Sequence, residues 1–297
     1  MLYTRSWMNV VLLLSFLAGC QLPGREGPVP RSLADCRKFS QQGVAELDRG
    51  HQQKAEALLA KAVQVCPVDA EARRRYAESL WRRGARPEAI AQMEEAGRLM
   101  AEDAALWARL AEMYLAAGQP EKAWRTANLA MDLDPKLPGA WAIRGGVMQA
   151  AGQPRDALND YLRALSYVPN DRDILMHVAD MYRQLNQPDR ALQTLQSLAE
   201  TYPSGEEPGQ IHYQMGLAYS ALGRYDAAVE SLSVAMAREK PTPEMLCSLG
   251  EAELLAGHPN EAAASVRAAL TLQPQHQPSR ELLERIDLAQ REQGTIR

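Results

Sequence analysis

The chain is poor in almost everything that a β-sheet, a metal centre or a catalytic machine would need. Among 297 residues there are two Phe, Phe16 and Phe39, and no long run of Val, Ile or Thr, the residues that suit a pleated, half-buried surface. The 46% hydrophobic content is rich in Ala and Leu and sits beside 24% charged residues, a composition that favours helix over strand. An all-α fold is the first expectation. Neither sign of charge prevails: the formal net charge is −4, which excludes a whole-protein nucleic-acid binder. Of the five His, at 51, 177, 212, 258 and 276, none lies in an HExxH motif or at the i, i+4 spacing of zinc sites. A Gly-x-Ser-x-Gly elbow, a P-loop and a dinucleotide fingerprint are all missing, and the acidic pairs Glu94-Glu95 and Glu206-Glu207 read as solvated faces. No enzyme activity, cofactor, metal or small-molecule substrate is expected.

What the chain does have is a period. Steps of 34 residues from Gly43 reach Ala77, Ala111, Gly145 and Ala179, and after a three-residue insertion Gly216 and Gly250. Twelve positions beyond these stand Ala55, Ala89, Ala123, Ala157, Ala191, Ala228 and Ala262. Gly50, Gly84, Gly118, Gly152, Asn186, Gly223 and Gly257 fall between the two helical stretches of each unit, where the chain needs a left-handed residue; Gly suits that conformation best and Asn next. Small residues at the first two sets of positions let two helices lie close together. No unit of this size buries its apolar stripe alone, so each must stack on the next.

These residues resemble the tetratricopeptide repeat. Trp107-Ala-Arg-Leu110-Ala111-Glu-Met-Tyr114 nearly spells its first-helix motif, with Ala123 and Pro135 in its second half. The resemblance implies a right-handed superhelical solenoid of seven helix–turn–helix repeats, 36–69, 70–103, 104–137, 138–171, 172–205, 209–242 and 243–276, so that the repeats fill 35–276. Residues 277–297 then hold a capping helix and tail, with Leu282, Leu283, Ile286 and Ala289 on one stripe. The insertion at Ser204–Pro208 is either a surface loop or a hinge.

The amino terminus reads as an address. Arg5 precedes an apolar run from Val10 to Ala18, much shorter than the ~20 residues that span a bilayer as a helix and suited to the core of a secretory signal. Leu17-Ala18-Gly19-Cys20 resembles the lipobox of bacterial lipoproteins. That resemblance implies removal of residues 1–19 and a lipid, palmitate included, on Cys20. With Gln21 following the Cys, it implies an outer-membrane anchor facing the periplasm in a diderm host. Residues 21–34 hold three Pro and two Gly without helical period and read as a linker. Cys36 and Cys66 stand at adjoining ends of the first repeat, either as a disulfide, which an exported protein can keep, or as two free thiols.

The family's concave surface comes from its first helices. Carried over position by position, the resemblance implies partner contacts at Arg74, Glu78, Trp81 and Arg82, a small-residue floor that includes Gly146, and Met176 and Tyr213 beyond it. Trp81 is either an exposed anchor or packed in the stack. The Arg cluster from Arg73 to Arg86 has interleaved Glu and reads as a solvated face or an acidic-partner contact. The implied function is a membrane-tethered adaptor that binds envelope proteins or peptide segments, with acidic partner groups meeting Arg74 and Arg82; the alternative is a permanent structural subunit of an envelope assembly. If Cys20 is the attachment point, metabolic labelling with a fatty acid should mark the wild type and not Cys20→Ser. Equal labelling of both would end the lipoprotein reading.

Overall fold

The structure, a computed structural model, describes residues 31–295. Cys20 and the segment read as signal peptide lie outside them. The described residues form fifteen α-helices and no strand, and they fall into two compact units that divide between Leu99 and Met100. The first unit contains α1 (Arg31–Asp48), α2 (Gln52–Val65), α3 (Ala70–Arg83) and α4 (Arg86–Leu99). The second contains α5 (Ala104–Ala116), α6 (Pro120–Leu133), α7 (Pro138–Ala150), α8 (Pro154–Leu165), α9 (Arg172–Gln184), α10 (Pro188–Ala199), α11 (Gly209–Ala221), α12 (Tyr225–Arg238), α13 (Pro243–Leu255), α14 (Pro259–Leu272) and α15 (Gln277–Thr295). Within each unit every helix packs chiefly on its chain neighbours, and α15 closes on both α13 and α14. Among the described residues no helix is long and apolar enough to cross a membrane.

The sequence explains where the helices start and stop. Asp69, Asp103 and Asp171 accept the backbone N–H of Ala72, Leu106 and Ile174 at 2.9–3.0 Å, which caps α3, α5 and α9. Pro occupies the first turn of α6, α8, α10 and α14, where its missing N–H costs nothing. At Asn186 the turn takes a φ of 55°, the one left-handed residue other than Gly among the described residues. A further device recurs that the period alone did not disclose. Arg73, Trp107, Trp141 and Arg280 each donate a side-chain N–H to the carbonyl six residues back, of Pro67, Ala101, Pro135 and Pro274, at 2.7–2.9 Å. Each therefore ties the loop leading into its helix to that helix. His212 occupies the corresponding slot of α11, and its Nε2 is buried without a hydrogen-bond partner.

One expectation needs correction, and two open alternatives are narrowed. The linker ends earlier than residue 34, because α1 begins at Arg31; Pro30 is the last helix breaker in the stretch, and nothing after it opposes a helix. The insertion is not a hinge between units, since Ser204–Pro208 lies inside the second one. There Arg238 pairs with the Glu207 carboxylate at 2.6 Å, and that contact holds the carboxyl far below its usual range, at about 2. Finally, no disulfide joins Cys36, Cys66 or Cys247 in the described residues. The buried Cys36 donates to Asp69 Oδ2 at 3.3 Å; burial and that acceptor push its thiol up to about 12.

Each helical pair closes on a small residue. A Cβ placed on Gly216 would stand 2.6 Å from Cγ of Leu232, and one on Gly43 would stand 2.7 Å from Cγ of Leu59. Both Leu side chains are fully buried, and Cγ is their branch carbon, so neither can swing aside cheaply. Gly216→Ala should therefore destabilise by about 1–2 kcal/mol, overpacking outweighing the better helix propensity of Ala. Gly139→Ala, whose Cβ would meet nothing within 4 Å, should be neutral or slightly stabilising. Urea unfolding of both variants tests the contrast.

Candidate functional site

A recess of about 940 Å³ in the second unit opens along α7 between α5 and α9. Its floor is one face of α7, where Gly139, Ala142, Gly146 and Ala150 follow at intervals of three and four residues. Leu115 of α5 leans over Gly146, where a Cβ would lie 2.9 Å from its Cδ2. On the other side α9 contributes Ile174, Met176 and His177. α5 packs directly on α7, whereas α9 stands further off, and Tyr161 of α8 fills the gap. Tyr161 is buried and has its ring stacked on His177 with centroids 5.0 Å apart.

Polar groups beside this floor form a chain of hydrogen bonds. Tyr161 donates its hydroxyl to Gln149 Oε1 at 2.8 Å, and Gln149 Nε2 donates to Asp180 Oδ2 at 3.1 Å. Burial, and after it the charges of Asp180 and Asp160, push the phenol above its ordinary range, so it stays a hydrogen-bond donor. Arg144 turns away from the recess: it forms a two-pronged bond to Asp160 at 2.7 Å on each arm and lies 4.9 Å from the centre of the Trp141 ring. The carboxylates of Glu112, Asp171 and Asp173 line the recess together with the exposed His177, and the lining has no Lys or Arg. Among the described residues no three His, Cys, Asp or Glu lie close enough together to hold a metal ion. The recess offers apolar contact, backbone approach over small residues and negative charge at its mouth. Those are means of binding.

The architecture agrees with what known proteins show. The sequence pattern of the tetratricopeptide repeat matches residues 40–99, 149–206 and 213–276, more than half of the chain. The chain belongs to the tetratricopeptide repeat family. A tetratricopeptide repeat protein from Parabacteroides merdae has a similar fold, with a TM-score of 0.62 and 17% identity over 86% of this chain and 99% of the other. PilW, a type IV pilus biogenesis factor, is similar at a TM-score of 0.62 and 16% identity over 68% of this chain and 92% of its own. By sequence, the Hsp70-Hsp90 organizing protein of Triticum aestivum is 24% identical over 145 residues, 49% of this chain and 25% of that relative. The match thus spans about a quarter of that protein's length.

Against the repeat positions, the expected contact residues divide. Gly146 and Met176 both line the recess. Tyr213 packs instead beside the core of Leu232 and Leu249. Arg74, Glu78, Trp81 and Arg82 belong to α3 in the first unit. There Trp81 is half-buried with the Arg86 guanidinium 5.6 Å from its ring centre, and Arg74 is held in a fork by both oxygens of Glu71 at 2.8 and 3.0 Å. Its neighbours Arg73, Arg75 and Arg83 are likewise engaged, with Gln92, Glu71 and Glu56. Position-by-position transfer missed Tyr161, although the sequence marks it. Its slot in the repeat holds Leu59, Met93, Ala127, Leu195, Leu232 and Val266 elsewhere, and the Tyr faces a Gly, with Cδ1 3.0 Å from a Cβ built on Gly145.

The two floor glycines answer differently to enlargement. Gly146→Trp must displace Leu115 and crowd the Tyr161 hydroxyl, 3.6 Å from the would-be Cβ, and should lower the melting temperature by several degrees. Gly139→Trp projects into open space and should leave melting and helical circular dichroism near wild type. Equal loss in both variants would contradict this geometry.

Proposed function

We propose that the protein is a membrane-tethered, protein-binding adaptor of the cell envelope, which holds a segment of a partner in the α5–α7–α9 recess. The observation that carries this reading is the recess itself: an apolar floor of small residues, braced at its side by a satisfied polar chain and without a nucleophile–base pair. Recesses of this size that are mostly apolar with a few placed polar groups are the usual form of a binding site. Family membership supports the same function, because stacked repeats present extended surfaces to partners. The tether rests on the sequence alone, on Leu17-Ala18-Gly19-Cys20 and the short apolar run before it. PilW has a related fold and is described as a pilus biogenesis factor; at this identity the likeness concerns fold alone.

A second reading, a permanent structural subunit, draws support from a different surface. The second helices α6 and α8 leave Trp124 43%, Leu129 39%, Leu133 39% and Leu162 41% exposed. Apolar side chains of that size at a surface are suited to constant burial by a neighbour.

A photo-crosslinking amino acid placed at position 142, and separately at 162, separates the two. In the native host the adaptor reading expects a discrete adduct from position 142 that is lost when Gly139→Trp fills the recess. Adducts from position 162 alone, unaffected by Gly139→Trp, would favour the permanent subunit and count against the recess.

A further inference from the structure

Resting on the reading of the recess as the binding surface, we infer that its occupant is a basic peptide segment, one that sets an aliphatic side chain on the floor and Lys or Arg on either side of it. The charge distribution carries this. On the α9 side the exposed Asp173 makes no ion pair among the described residues, and Asp171 uses Oδ1 to cap α9 at 3.0 Å, which leaves Oδ2 open to a ligand. On the α5 side the exposed Glu112 has one partner, Arg109, three residues away on its own helix. An exposed pair of that kind holds weakly and yields readily to a better one. Asp180 is the instructive contrast: its two oxygens already serve Arg183, Gln149 and Gln184, so it supports the floor and is not available. Between the carboxylates the walls are Leu115, Ile143, Ile174 and Met176. An acidic segment would meet three like charges across an apolar surface with no Lys or Arg in the lining to relieve them, His177 being stacked on Tyr161. A basic one finds a carboxylate on both sides and covers the walls with its aliphatic stems.

The test uses a phage-displayed library of random dodecapeptides selected on the full chain immobilised in detergent, with Gly139→Trp and Asp173→Lys as counter-targets. Selected peptides should carry an aliphatic residue flanked by Lys or Arg, and should bind Gly139→Trp at least tenfold more weakly. Charge reversal at Asp173 should weaken them about fivefold, and affinity should fall as salt rises from roughly 0.05 to 0.5 M. Peptides that depend on an open recess yet lack basic residues, or are acidic, would overturn the charge assignment and leave the recess as the binding surface. Peptides that bind Gly139→Trp undiminished, or a selection with no enrichment over that variant, would overturn both.

Discussion

Everything in the structure depends on how closely the two helices of a pair can approach. That distance is set where one small residue of the first helix meets the second. At Gly43, Gly216 and Gly250 even a methyl group would lie 2.6–2.7 Å from a Leu or Val carbon of the facing helix; Ala77, Ala111 and Ala179 fill the same place and are buried. Across the contact stand Ala55, Ala89, Ala123, Ala157, Ala191, Ala228 and Ala262, each no more than 1% exposed. The apolar side chains between successive pairs then collect into local clusters, such as Leu175 with Leu195, Leu198 and Ile211, or Val266 with Leu282 and Ile286. Each such Leu or Ile contributes about 1.5–3 kcal/mol by leaving water. Stability of this kind is summed over neighbours, which is why α15 is needed at the end: it covers α14 with Leu282 and Ile286 and leaves Leu288 58% exposed.

The same closeness makes the recess. Where α7 uses Gly and Ala on the face turned to the opening, its backbone lies bare at the floor, and where α8 uses Tyr161 in place of a smaller apolar residue, α9 is set apart from α7. The hydroxyl that this Tyr brings inside would be costly if unpaired, and the chain through Gln149 to Asp180 satisfies it. Packing and polar chemistry are therefore one construction here: the wedge that opens the recess also requires the network that stiffens it.

Much of this was legible in the sequence. Helices α3, α5, α7, α9, α11 and α13 begin at Ala70, Ala104, Pro138, Arg172, Gly209 and Pro243, in step with the 34-residue period and its one insertion, because Gly, Asn, Pro and capping Asp act locally and leave their mark in one dimension. Asn186 shows the same logic, since a left-handed turn restricts its occupant without reference to the rest of the fold. The candidate site was legible only in part. Gly146 and Met176 could be placed from repeat position, but charge at an opening depends on which side chains are already engaged. Arg74 reads as an offered cation in the sequence, and it is bound by Glu71; Asp173 lines the mouth and makes no ion pair among the described residues. The Glu71–Arg74 pair is an i, i+3 spacing that the sequence does carry. Which acids end up at the mouth of the recess depends instead on how helices pack, which a linear pattern does not reveal.

The central claim is that the first-helix face of α5, α7 and α9 is the surface that binds. Hydrogen–deuterium exchange of the full chain, with and without a peptide it captures, tests this most directly. The account predicts added protection in α7 and at the start of α9, with α6 and α8 unchanged on their outer faces. Protection centred on Trp124 and Leu162, or none in α7, would contradict it.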